Sequence, residues 1–185
     1  MTSRLALLSL TCTLSLTGTA FPCSIGMFGT TPMDRTRDMV ARAELIVRAT
    51  AVAYAVAPID PRIRTNGPTE SRVRFVVQEV IKGTEPPKEI VLEGFLETRD
   101  EWNRQPPPYE SARASADAAC FSNMYREGGQ FLLVLVRAAG VRPSPLVAAD
   151  TTYTVNWLAL APVNEQLRSA DDPWLAWVRE QTKAR

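Results

Sequence analysis

The sequence predicts a mainly β domain, a small, partly open barrel of five strands with a short helix before it and a closing helix after it. Three observations predict it. Five segments carry the alternating or β-branched apolar pattern of strands. The stretches between them are rich in proline and charge, unlike the frequent tight turns of an immunoglobulin-like sandwich, which also needs about seven strands. The C-terminal segment has helical rather than strand period.

The first 20 residues read as an export signal. Met1–Arg4 is a short basic start, Leu5–Leu16 is uncharged and apolar, and Gly18-Thr19-Ala20 places small residues at −3 and −1 of a cut after Ala20. The apolar run is shorter than the about 20 residues that a bilayer span needs. A buried N-terminal helix would leave the cleavage pattern without a purpose. Cys23 as a lipid-modified first residue is the other alternative, although Phe21-Pro22 fit a lipoprotein signal poorly. The expected product is one domain over 21–185, secreted or periplasmic, with no membrane-spanning segment.

Removing 1–20 takes away Arg4 alone among the charged residues, so the 21 Lys and Arg become 20, equal to the 20 Asp and Glu. A neutral chain without a basic cluster is poorly suited to nucleic acid, where phosphate neutralisation drives binding, or to an anionic membrane surface. Cys12 leaves with the signal. Cys23 and Cys120 remain, and in an oxidising compartment they are expected to pair rather than stay as free thiols.

The elements follow in order. Pro32–Arg42 is a short helix, with Thr31 as a cap and Met33, Met39 and Val40 on its apolar side. Leu45–Val56 is the first strand. Residues 58–71 form a loop with three prolines and Asn66-Gly67. Arg72–Ile81 is the second strand, with Val73, Phe75, Val77 and Glu79 on one side and Arg74, Val76, Gln78 and Val80 on the other. Pro86-Pro87 prevents a tight hairpin before the third strand, Glu89–Leu92. Residues 97–129 are expected to be a long irregular loop, a length that is usually functional in a compact domain. Phe131–Val136 is a strand buried on both faces, and Thr152–Leu160 is the fifth. Asp171 or Asp172 caps the closing helix, in which Trp174, Trp177 and Val178 share a face that packs on the sheet.

The order of these features resembles the netrin-module domains, whose best-known branch is the tissue inhibitors of metalloproteinases. Cys23 lies just behind the signal. Residues 43–50 (AELIVRAT) look like the family's opening strand, 75–83 (FVVQEVIKG) like its second strand and Lys-Gly turn, and Cys120 followed by 128–134 (GGQFLLV) like its later strand. The resemblance covers roughly Cys23–Val136 and implies an OB-like five-stranded barrel in an exported protein. In the inhibitors the chain starts at a cysteine whose free amino group chelates the protease zinc. Here Phe21-Pro22 precede Cys23, and Cys23-Ser24-Ile25 replaces the family's Cys-x-Cys, so inhibition does not follow from the resemblance.

No residues are read as catalytic, metal-ligating or cofactor-binding. The chain has no histidine, the usual base of a nucleophilic triad and a usual zinc ligand. Loop carboxylates Glu97, Asp100, Glu101 and Glu110 lack the spacing of a calcium loop. Glu97, Asp100 and Glu101 could serve a hydrolase only if held at a fixed separation. A Ser-Lys dyad would have to use Lys82, Lys88 or Lys183. A binding surface is the better reading. The candidate is the aromatic and proline cluster Trp102, Pro106, Pro107, Pro108 and Tyr109 in the long loop. The expected function is an exported, non-enzymatic binding or scaffold domain, with another exported protein as the expected partner.

Overall fold

The computed structural model describes residues 32–60, 62, 70–84, 86–110, 113, 122–137, 157–160 and 164–183. The expected export signal, Cys23, Thr31, Asn66-Gly67 and Cys120 lie outside them. The fold is mainly β. Helix α1 (Pro32–Arg42) and helix α2 (Pro173–Lys183) bracket strands β1 (Leu45–Val56), β2 (Arg72–Lys82), β3 (Glu89–Glu93), β4 (Phe95–Glu97), β5 (Met124–Arg126), β6 (Gln130–Arg137), β7 (Trp157–Ala159) and β8 (Glu165–Gln166). No helix among the described residues is long and apolar enough to cross a membrane.

The main sheet runs β3-β2-β1-β6-β7, with β8 also paired to β6. Strands β1, β2 and β3 follow one another as antiparallel neighbours, and β6 returns beside β1. That spatial order is a Greek key. Strand β1 carries several register irregularities against β2, at Arg48/Ala49, Ala51/Ala53 and Tyr54/Val56 among others. Such bulges bend a strand and increase its twist. The sheet curls until its two edges, β3 and β7, stand near each other. Among the described residues no ladder joins them, and there the sheet is not closed.

Alternation along β1 and β6 divides the apolar side chains between two cores. Leu45, Val47, Ala49 and Ala51 face inward with Phe131, Leu133 and Leu135, where they meet Val73, Phe75, Ile90, Leu92 and Tyr125. Phe75, Tyr125 and Phe131 form three edge-to-face contacts with ring centroids 4.9–6.0 Å apart. Ile46, Leu132 and Val134 point the other way, onto α1 and α2 through Val40, Ala43, Trp174, Leu175 and Val178. A strand that feeds two cores reads as an unbroken apolar run, which is why residues 131–135 show no alternation.

Both helices are tied at their ends. Asp172 caps α2, accepting from the Trp174 N–H at 2.9 Å and from the Arg168 N–H at 2.8 Å. Lys82 donates to the Val40 and Ala41 carbonyls at 3.2 and 2.7 Å, placing a cation on the C-terminal carbonyls of α1. Next to it, Gly83 has φ +109°, and a Cβ there would stand 2.8 Å from the Glu44 carbonyl oxygen. The Lys-Gly pair thus lets β2 turn away close to the start of β1.

The expected long loop over 97–129 contains structure at both ends. Strands β4 and β5 form a small parallel pair, Phe95 opposite Met124 and Glu97 opposite Arg126. Each is only three residues, too short to display a period, and their pairing spans the whole loop. Strand β8 is likewise an addition, two residues long. Of the expected fifth strand, Trp157–Ala159 is a strand paired with β6, and 151–156 lie outside the described residues.

Candidate functional site

The irregular segment 99–110 lies against the turn between β5 and β6 and against the segment from β8 to α2. Between them is an open cleft of about 270 Å³, lined by Asp100, Trp102, Arg126, Gln130, Gln166 and Arg168, with Gly128 and Gly129 in its wall. Trp102 is 42% exposed, and the Arg168 guanidinium lies 5.1 Å from its ring centroid. Gly128 has φ +74°, which the tight turn requires, and a Cβ added there would meet no atom within 4 Å. That turn is braced on β1, since the Gly128 N–H donates to the Ala51 carbonyl at 2.7 Å.

The cleft is held by two consecutive residues of β8, which project to opposite sides. Gln166 accepts from the Glu101 N–H at 2.7 Å and donates to Asp100 at 2.6 Å. Asp100 also pairs with Arg126, at 3.2 Å. Glu165 faces inward and is wholly buried. Its Oε1 accepts from the Asn103 side-chain amide and from the Arg113 N–H, each at 3.0 Å. Its Oε2 has no hydrogen-bond partner among the described residues. Burial pushes the Glu165 carboxyl up to about 7, against the lowering influence of Arg113.

Arg113 is buried too. It donates to the Met124 carbonyl at 2.7 Å and the Asn164 carbonyl at 3.2 Å, and its guanidinium lies 5.4 Å from the Tyr125 and Phe131 ring centroids. Burial lowers its pKa from the usual arginine value. Its Nη2, like Glu165 Oε2, has no hydrogen-bond partner among the described residues. The result is a buried polar patch that pins the irregular segment to the mouth of the inner core.

The candidate loop residues separate. Trp102 lines the cleft. Pro106 and Pro108 are exposed and Pro107 is half-buried. Tyr109 belongs to the outer core, with its ring centroid 5.1 Å from that of Trp174, and burial pushes its hydroxyl up to about 12. The Thr36 hydroxyl of α1 donates to its carbonyl at 3.0 Å. So the expected contact surface of five residues is one cleft tryptophan, three prolines that do not line the cleft and a core tyrosine. Cys23 and Cys120 cannot be placed, being outside the described residues.

Of the carboxylates considered for hydrolysis, Glu97 ends β4 opposite Arg126, and the other two have side-chain partners. Asp100 is engaged by Arg126 and Gln166. Glu101 is engaged by Arg99 at 3.4 Å and Ser122 at 3.5 Å. Lys82 caps α1. The patch of Glu165, Arg113 and Asn103 has no counterpart in the sequence reading. Glu165 stands in a polar run, Asn164-Glu165-Gln166, which carries no periodic mark of burial. No family model matches the chain, and no curated protein matches it.

Proposed function

We propose that this chain is an exported, non-enzymatic binding or scaffold domain on an OB-like barrel of the netrin-module type, with the Trp102 cleft as its contact site for another exported protein. The observation that carries the proposal is the cleft itself. It pairs a half-exposed indole with polar side chains fixed by their neighbours, on loops at the rim of a rigid sheet, an arrangement suited to recognition. The Greek-key order and the approach of β3 to β7 support the barrel reading. The engagement of Asp100 and Glu101 in ion pairs and hydrogen bonds supports binding over hydrolysis.

Two measurements test it. The intact mass of the exported protein, before and after reduction, is expected to show a start at Phe21 and two cysteines that alkylate only after reduction. A bare start at Cys23 would favour metalloprotease inhibition instead, and an acylated one a lipid anchor. The contact site is tested by a photo-crosslinking residue at position 102, compared with one at the exposed Ile59, in the exporting cell. A defined adduct from 102 alone is expected. Equal labelling from both positions, or none from either, sinks the assignment of the cleft.

A further inference from the structure

The segment that carries Trp102 is held to the sheet in part through a buried carboxyl, that of Glu165, and this chain has no histidine. Glu165 Oε1 receives two donors from that segment, Asn103 Nδ2 and the Arg113 N–H, while Oε2 receives none among the described residues. Asn103 follows Trp102 directly, and its carbonyl accepts from Arg168 at 3.1 Å. Releasing Asn103 therefore displaces the indole and the guanidinium that lies over it.

We propose that Glu165 is a proton-operated latch, which holds the Trp102 segment against the sheet when neutral and loosens it when ionised.

The direction follows from desolvation. A neutral carboxyl keeps both donors on Oε1 and leaves one uncharged hydroxyl without a partner among the described residues. An ionised one puts charge on a buried oxygen that has no donor among them, which costs more. The charged and titratable groups that face it among the described residues are Arg113 from the irregular segment, Asp172 from the start of α2 and Tyr109. The Arg113 charge and the hydrogen bonds from its N–H and from Asn103 favour ionisation, and Asp172 opposes it. Burial outweighs all three, pushing the carboxyl up to about 7 from the ordinary 4.5. Ionisation is relieved by admitting water or by bringing Arg113 Nη2 across, and the movement falls to the segment that carries Asn103 and Arg113.

The sign is fixed by linkage. The latched carboxyl binds its proton more tightly than the released one, so latching is complete below about pH 4.5. The released fraction then grows about tenfold per pH unit until pH passes about 7. No histidine competes over that range. The proposal goes beyond the binding reading and does not depend on what occupies the cleft.

Amide hydrogen exchange of the whole exported protein tests it, with rates corrected for the intrinsic effect of pH. Between pH 5 and pH 8, exchange in peptides covering 99–110 is expected to speed up by at least tenfold relative to β1 and β6, and Glu165→Gln is expected to abolish the change. A flat wild-type profile, tighter protection at high pH, or the same pH dependence in Glu165→Gln overturns it. Should Glu165→Gln fail to fold, wild type with an acetylated N-terminus decides. Removing the α-amino group, the other titrating group near pH 8, must leave a midpoint near 7; loss of that midpoint overturns the latch.

Discussion

Two residues show how much one side chain or its absence can decide. Glu79 on β2 joins Arg179 of α2 and Arg48 of β1, the latter at 3.1 Å. The Arg179 guanidinium holds its carboxyl below the usual carboxylate range, with Arg48 adding to the effect against the cost of burial. A depressed folded value means that the stabilisation is present above about pH 4.5, the ordinary value, and is lost as pH falls through the folded one. Glu79→Gln is expected to cost about 1 kcal/mol at pH 7, with the gap to wild type closing in acid, as read by urea unfolding at a series of pH values. Gly94 between β3 and β4 has φ +146°, and a Cβ there would lie 2.3 Å from the Asn123 carbonyl oxygen and 2.5 Å from the Tyr125 ring. Gly94→Ala collides with backbone as well as straining φ. It is expected to cost more than about 2 kcal/mol in the same assay and to displace Tyr125 from the inner core.

At the scale of elements, α2 is the clearest case. Trp174 is fully buried, stacked on Trp177 with centroids 5.0 Å apart and packed on Tyr109. Trp174→Ala opens a cavity between both helices and the sheet and is expected to cost about 3–5 kcal/mol. Trp174→Phe keeps most of the apolar volume and removes an indole N–H that has no hydrogen-bond partner among the described residues. It is expected to cost clearly less, and equal losses in thermal unfolding would refute this packing account. Elements with a long, regular pattern were legible: α1 at Pro32–Arg42, β1 at Leu45–Val56, and the Trp174/Val178 face of α2. Strands β4, β5 and β8 were not, since two or three residues cannot show a period and their partners lie far along the chain. The candidate site was legible only at Trp102. Nothing local distinguishes Tyr109 from it, because burial of Tyr109 is decided by Trp174, which is 65 residues away in the sequence.

For the whole molecule, the proposed Cys23–Cys120 bridge would tie the irregular segment to the start of the exported chain. A loop of roughly a hundred residues corresponds to about 4–5 kcal/mol of lost unfolded-state entropy. Reduction is expected to lower the urea midpoint accordingly, and identical midpoints with and without reductant would show the two cysteines unpaired. Residues 103 and 113 are held by Glu165, so a covalent tie and a titratable one would act on the same stretch of chain.

By itself, the sequence determined the β-rich class, the two bracketing helices and the strands of the main ladder, because each of these rests on a local pattern of apolar residues. It also determined that no histidine serves any role here. Only the tertiary structure decided that β6 returns beside β1, that among the described residues the curled sheet stays open between β3 and β7, and that Trp102 meets Arg168 across a cleft. It alone buried Glu165 with one carboxyl oxygen that has no partner among the described residues. Burial of a polar residue depends on what distant segments bring around it, and a single glutamate in a polar stretch carries no trace of that in its neighbours.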